Sequence, residues 1–547
     1  MRILGALLAL FLPTALLYSQ FLGNPLVFDD ITFFSGEEFG GYLHRISFSL
    51  RWLPLASFVW TRELFGDAII WLRLGNLLLH FMTTATLFFF LKRLFELVIP
   101  ADTDNKTLSP FWLAFFGALI FALHPASVYA VGYLIQRTTL VATLFSLLTW
   151  RLFLEGVIRE QRAWLYASAF AYFLAVLSKE HAIMVPAVAV MLLVLVREQP
   201  LDRLKLVSST FVLYVLVAAF AVYQRHSANV LGQAYEPIAS ELISRLGADF
   251  DVRLIYPLSI LTQSYTFFKY LWLWLVPTPA LMSIDSCQTF ALHFWSMPEV
   301  IGLVGFVIYL YLSVRLLLQR GLTGLLGFAL LSPMVLFVTE LATVRIQEIF
   351  VLYRSYLWMA GLFAGLPFVC QKLTARQAVI TLTSIAVLMM PLTWFRLTTF
   401  SHPLLLWDDA ARRITDDKSC PSMDRILNNR GRELTALQRY PEAIADFTRS
   451  LQIVQWHDKP MVSELATNYY NRGFAYLKNQ QFQLALNDFN VIVGPLPKSW
   501  SGFYFYKAQA FEGLHELASA RQLYEQACSN GVKEGCEKQK ALETSIK

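Results

Sequence analysis

Apolar residues dominate the first four hundred positions in runs long enough, or nearly so, to cross a bilayer as helices. The runs fall near 4–21, 68–91, 109–124, 138–156, 163–178, 182–196, 206–223, 299–314, 322–338, 355–371 and 377–395. They predict about eleven membrane helices, or about thirteen if two segments within 224–298 also cross. Pro257, Pro277 and Pro279 interrupt that stretch. Its apolar pieces, Tyr270 to Val276 among them, are therefore expected to lie on or dip into the bilayer as a large outer loop. The first polar break, 22–67, predicts another outer loop. The opening run passes into Tyr18, Ser19, Gln20 and Phe21 without a small-residue cleavage site, and so reads as a retained helix.

The pattern changes after 398. Asp408, Asp409, Arg412, Arg413, Asp416 and Asp417 mark 399–422 as a linker, and 423–547 alternates small and aromatic residues at fixed distances. Gly431, Ala443 and Phe447 are followed by Gly473, Tyr476, Ala485 and Phe489, then by Ala508, Phe511, Ala520 and Tyr524. That is the spacing of tetratricopeptide repeats. Small residues let the two helices of a unit approach, and the aromatic fills the groove between them. The fold expected is all-α: a polytopic membrane bundle over 1–398 and a soluble α-solenoid over 423–547.

Composition agrees with the apolar pattern. The chain is 56% hydrophobic and only 15% charged, where a soluble protein carries roughly a quarter. The net charge of +6 is spread out, with no basic run to suggest nucleic acid. Lys92, Arg93, Arg159, Arg162, Arg315, Arg320, Lys372 and Arg376 fall in turns on one side, as the positive-inside rule asks of a cytoplasmic N-terminus. An odd helix count then puts the repeats outside. The outer side nevertheless holds Arg45, Arg51, Arg137, Lys179, Arg345 and Arg354, more cations than topology alone requires.

Those exceptions frame the candidate chemistry. Asp29, Asp30, His44, Arg51, His124, Arg137, Lys179, Glu180, His181 and Arg354 come from separate segments, all at outer helix ends. Carboxylates beside several cations suggest a base next to an anion site. Sugar transfer from a polyprenyl-phosphate donor needs that combination. Asn76 and His80, four apart on one helix, read as an interhelical hydrogen-bond pair rather than a metal site. Cys370 reads as a small core residue, and His402 and His457 as non-catalytic. Cys287 and Cys420 both fall outside and could pair.

Several segments resemble the transmembrane and tetratricopeptide-repeat O-mannosyltransferases, of the C-type glycosyltransferase superfamily. They are Phe28-Asp29-Asp30; Leu50 to Leu55 with Arg51; Leu74 to His80; His124-Pro125 with Val131 and Arg137 following; and Leu177-Ser178-Lys179-Glu180. Tyr353 to Leu357 is similar to a further family motif, with Tyr353 where the family has an acid. The resemblance implies an inverting transferase moving a sugar from a polyprenyl-phosphate donor to Ser or Thr of exported proteins. It implies Asp29 as base and Asp30 as the residue orienting the acceptor. Arg51, Arg137, Lys179 and Arg354 would hold the donor phosphate, and His124, Glu180 and His44 would contact the acceptor or support the site. The repeats would recruit the protein acceptor. No cofactor is required; two adjacent acids leave a divalent cation open, and no residue is assigned to a metal. Cys528 and Cys536 resemble the disulfide-linked helix pairs of Sel1-like repeats, which fits an oxidising compartment. The expected location is a bacterial inner membrane, multi-pass, with the repeats in the periplasm. The alternatives are a glycan or lipid acceptor, or a non-catalytic scaffold docking envelope proteins.

Overall fold

The computed structural model of the chain describes residues 2–35, 41–42, 47–99, 107–196, 204–226, 243, 246, 250–414, 423–455, 462–492, 500 and 502–545. It divides into two compact units, one of Met1–Pro237, Asp251–Ser286 and Phe290–Leu406, the other of Ile238–Phe250, Cys287–Thr289 and Trp407–Lys547. The described residues form helices and no sheet, the all-α class that the pattern predicts.

In the first unit α1 (Arg2–Ser19) leads through α2 (Asp29–Ser35) and α3 (Trp52–Phe65) to α4 (Ile69–Val98). Next come α5 (Pro110–Leu123), α6 (Val128–Val131), α7 (Arg137–Arg159), α8 (Arg162–Ser178), α9 (Val185–Val196) and α10 (Leu204–His226). The unit continues with α11 (Ile255–Leu275), α12 (Glu299–Leu318), α13 (Gly321–Leu341), α14 (Ser355–Met359), α15 (Leu366–Cys370) and α16 (Ala375–Thr399). Helices α5, α7 and α13 lie at the centre, packed on α4, α8 and α12 respectively. The apolar windows of α12 and α10 are only 17% and 22% buried, so these helices turn apolar faces outward. A soluble unit would bury such faces; bilayer lipid accepts them.

Among the described residues seven helices are long and apolar enough to cross a membrane, or eight if the pair bent by 52° at His124 counts as one span. This differs from the eleven expected. Runs 163–178 and 182–196 become the shorter apolar helices Arg162–Ser178 and Glu180–Val196. Run 355–371 is not one helix: α14 and α15 are separated by a 3-10 stretch, Ala360–Gly365. That stretch lies tight on α13, where a Cβ on Gly361 would come within 2.2 Å of Ser332 Oγ. The loop expected over 224–298 also differs, because 255–275 is one continuous helix. Pro257 sits in its first turn, where a missing N–H costs nothing, while Pro277 and Pro279 follow its end.

The second unit takes over within α17 (Pro403–Ala411) and consists of stacked helix hairpins. These are α18 (Met423–Ala436) with α19 (Tyr440–Gln455), α20 (Val462–Lys478) with α21 (Phe482–Val491), and α22 (Phe503–Gly513) with α23 (Leu517–Ser529), closed by α24 (Lys533–Ser545). Gly431 and Gly473 make the first two hairpins possible: a Cβ would meet the ring of Phe447 at 2.7 Å and that of Phe489 at 2.8 Å. In the third, Ala508 and Tyr524 share a buried cluster. A disulfide between Cys528 and Cys536, Cα atoms 4.7 Å apart, ties α23 to α24. Cys370 is a buried free thiol. Cys420 and His457 lie outside the described residues.

Candidate functional site

The two adjacent acids of the first loop meet opposite fates. Asp30 is wholly buried and accepts backbone N–H bonds from Ile135 (2.9 Å), Leu134 (3.3 Å) and Val27 (3.4 Å). Burial pushes its carboxyl up to about 7, although those donors and the charge of Arg73 oppose the shift. Arg73, from α4, clamps the same loop by donating to the carbonyls of Asn24 (2.8 Å), Pro25 (2.5 Å) and Gly132 (2.8 Å). Asp30 is thus occupied by the protein itself, and the expected role of orienting an acceptor or binding a metal does not fit where it lies. It fixes the loop. Asp29 is exposed. It follows Phe28, whose φ of 51° is a left-handed conformation a non-glycine residue adopts only when its surroundings hold it there. The Asp29 N–H donates to Tyr133 Oη at 3.1 Å, and its carboxylate faces the same phenol. Burial first, then that carboxylate, hold Tyr133 protonated well beyond its usual range.

Tyr353 joins Asp29 to a cluster of charges. Its ring is 6.2 Å from that of Tyr133, and its hydroxyl donates to Glu348 Oε2 at 3.0 Å. Asp29 and Arg354 both act on it electrostatically. Lys179 Nζ lies 5.1 Å from the same ring. That ammonium donates to Gln136 Oε1 (2.9 Å) and Thr139 Oγ1 (2.7 Å), both neutral groups. Burial, with the Arg51 charge second, lowers the Lys179 pKa to about 7. Arg51 itself is left-handed (φ 68°), tied by its N–H to the Leu177 carbonyl (2.6 Å) and forked onto Glu180 at 3.1 and 2.5 Å. It is neither snorkelling nor free for a ligand without cost. Glu180 pairs with this distant arginine, and its charge also acts on its neighbour Lys179.

Glu340, buried in α13, gathers the rest. It accepts from Arg354 (3.0 Å) and His181 (2.9 Å) and lies 3.3 Å from Arg345. Arg354 also bonds the Glu348 carboxylate (2.8 Å) and carbonyl (2.9 Å), and these acids raise its pKa well above the usual value against the opposing effect of burial. Arg51, Lys179, Arg345 and Arg354 therefore stand against three glutamates, 180, 340 and 348, beside one exposed aspartate. Glu340, Glu348 and Tyr133 had no place among the expected site residues, and His181 and Arg345 stood among the outer polar residues without a role. Glu340 carried a signal, since an acid inside a long apolar run is costly unless partnered.

Two expected site residues are elsewhere. Arg137 is buried and spends its guanidinium on Asn76 Oδ1 (2.8 Å), Ser57 Oγ (3.1 Å) and the Leu72 carbonyl (2.7 Å), with Phe58 stacked 3.7 Å away. It braces α3 against α4 and is not available to a donor phosphate. His124 caps the bend, Nδ1 accepting from Ala126 N–H at 3.2 Å and the ring stacking on Trp274 at 4.4 Å. His44 lies outside the described residues. Asn76 and His80 do bond between helices, though to different partners. Asn76 donates to the Leu134 carbonyl (3.2 Å), while His80 meets Tyr356 Oη (2.7 Å) and the Ala122 carbonyl (3.0 Å).

Chemically, the arrangement offers an exposed carboxylate with a phenol behind it, beside cations bonded to glutamates at Arg51 and Arg354 and to neutral groups at Lys179. Among the described residues no three His, Cys, Asp or Glu side chains converge as a metal site. No family model and no curated protein matches the chain.

Proposed function

We propose that this protein is a multi-pass membrane glycosyltransferase that moves a sugar from a polyprenyl-phosphate donor to Ser or Thr hydroxyls of exported proteins. The resemblance of its loop motifs to the O-mannosyltransferases suggested the reaction. The observation that carries it here is the convergence of exposed Asp29 with Lys179, Arg51 and Arg354 around Tyr353. Asp29 takes the proton of the incoming hydroxyl, whose oxygen bonds to the anomeric carbon as the carbon–phosphate oxygen bond breaks. The departing electron pair stays on the polyprenyl phosphate. Lys179 answers that developing charge, because its present partners are neutral; the arginines, already paired with glutamates, hold the phosphate's position. Glu180 keeps Arg51 in place. Inversion follows from a single displacement.

The second unit serves as a tetratricopeptide array that holds the acceptor. A cavity of about 460 Å³ there is lined by Arg432, Tyr470, Asn471, Phe474, Lys478 and Tyr506, a mix of aromatic faces and cations suited to an extended peptide. The chain sits in a bacterial inner membrane with this array in the periplasm, where the disulfide persists. Purified protein given a polyprenyl-phosphate sugar and a Ser/Thr-rich envelope protein is expected to release free polyprenyl phosphate and add one sugar mass per site. Sugar appearing on a glycan or lipid alone would move the acceptor. No release with any acceptor would leave the scaffold alternative.

A further inference from the structure

The first helices of the three hairpins, α18, α20 and α22, pack side by side and line the cavity of the second unit. Helix α20 supplies a row at four-residue spacing, Tyr470, Phe474 and Lys478, with Asn471 beside it; α18 adds Arg432 and α22 adds Tyr506. The rings form one patch. Tyr506 meets Phe474 edge-on at 4.7 Å and Tyr470 at 6.5 Å, and Lys478 Nζ lies 5.3 Å from the Phe474 ring. Charge sets this surface apart within its unit. Arg430, Arg439, Arg472 and Lys538 all bond carboxylates of the same unit. Arg432 and Lys478, both exposed, meet no carboxylate among the described residues, and no Asp or Glu lines the cavity. Asn471 donates to Asn428 Oδ1 at 2.9 Å, while its own carbonyl oxygen accepts from nothing among the described residues.

We infer that this surface selects acidic segments of polypeptide. It takes their carboxylates at Arg432 and Lys478, a backbone N–H at Asn471, and an aromatic side chain on the three rings. This rests on the peptide-holding role proposed above for the unit and narrows which peptides are held. The argument is charge complementarity: two cations without partners and no acid in the lining attract an acidic segment and repel a basic one. The rings and the Asn471 oxygen add contacts that a polyphosphate or an anionic lipid surface would leave unused. In the proposed reaction, Ser and Thr flanked by Asp or Glu are then the preferred acceptors.

The test titrates the full chain in zwitterionic nanodiscs against short fluorescent peptides and reads anisotropy, with no donor present. A Ser/Thr peptide carrying Asp, Glu and Tyr is expected to bind, and the same peptide with Lys for each acid to bind about tenfold more weakly. Arg432→Glu and Lys478→Glu are each expected to weaken the acidic peptide about fivefold and to make its binding less sensitive to salt. Both side chains are exposed, and either variant carries the test if the other fails to fold. Phe474→Ala is expected to weaken the Tyr-bearing peptide about tenfold and an otherwise identical Ala-bearing one far less. Arg521→Glu, which reverses an exposed charge off this surface, leaves binding unchanged. Equal binding of the acidic and basic peptides, or indifference to both reversals, would overturn the assignment. So would an acidic polysaccharide that displaces the probe at lower concentration than unlabelled peptide does. Binding is read without turnover, so the two ideas fail separately. Selective binding without sugar transfer sinks the reaction alone, and transfer with no preference for acidic peptides sinks the acidic surface alone.

Discussion

In the second unit Arg430 forks onto Asp446 at 2.7 and 2.6 Å, and one hairpin later Arg472 forks onto Asp488 at 2.8 Å twice, both pairs sixteen residues apart. In the first unit Arg354 reaches Glu340 and Glu348, Arg51 reaches Glu180 across 129 residues, and Glu340 reaches His181 across 159. One set of charges recurs with the fold and is explained by it. The other recurs nowhere, gathers from α13 and three loops, and sits beside an exposed aspartate. Repetition marks structure; convergence without repetition marks a site. The first unit also carries the more costly arrangement at Glu340, which with Arg354, Arg345 and His181 is almost wholly out of solvent.

The sharpest break of that contrast is Glu340→Ala. It takes a carboxylate away from buried Arg354 and Arg345 and from the His181 ring, and losing one side of a buried pair costs about 3–5 kcal/mol. The variant is expected to express poorly and to melt far below wild type by detergent-corrected thermal shift. A normal melting point would show that the cluster is looser than drawn. Next comes Asp488→Ala, whose carboxylate is buried while its Arg472 partner keeps some contact with solvent. A loss of about 1–2 kcal/mol is expected, between the buried and exposed limits, read as a lower unfolding midpoint of the full chain with sugar transfer retained. If transfer disappears while the midpoint holds, the repeat charges are not merely structural.

A smaller effect concerns pH. Burial lowers the Lys179 pKa from 10.5 to about 7, so the amine is charged below that pH and neutral above it. A charged amine binds phosphate and a neutral one does not. Donor affinity is therefore expected to weaken as pH rises past 7, by up to about tenfold per unit. Lys179→Arg, charged throughout, should flatten the dependence of donor KM on pH. A KM for wild type that is level from pH 6 to 9 would remove Lys179 from the phosphate. Smallest of all, Arg439→Ala breaks a pair with Glu442 that stands in solvent, and the unfolding transition should stay where it is.

How legible each region was follows the same divide. The hairpins could be read because glycine, alanine and aromatic residues recur at distances a helix pair demands. The apolar helices could be read from run length, although 355–371 looked continuous and is not; the close approach of Gly361 to Ser332 is a tertiary fact. Arg137 and His124 were drawn into the site because cations at helix ends look alike in sequence. Their partners, Asn76 and Ser57 for one and Ala126 for the other, decide otherwise. The pair Asp29 and Asp30 could be located but its burial could not, since that depends on the turn at 134–135, over a hundred residues away.

The central claim is that Asp29 is the base of a sugar transfer, and intact mass of envelope proteins from cells carrying wild type or Asp29→Asn tests it most directly. With the variant present at the wild-type level, loss of the added sugar mass is the expected result, since the amide keeps the loop but cannot take a proton. Unchanged glycoforms in the Asn variant would contradict it.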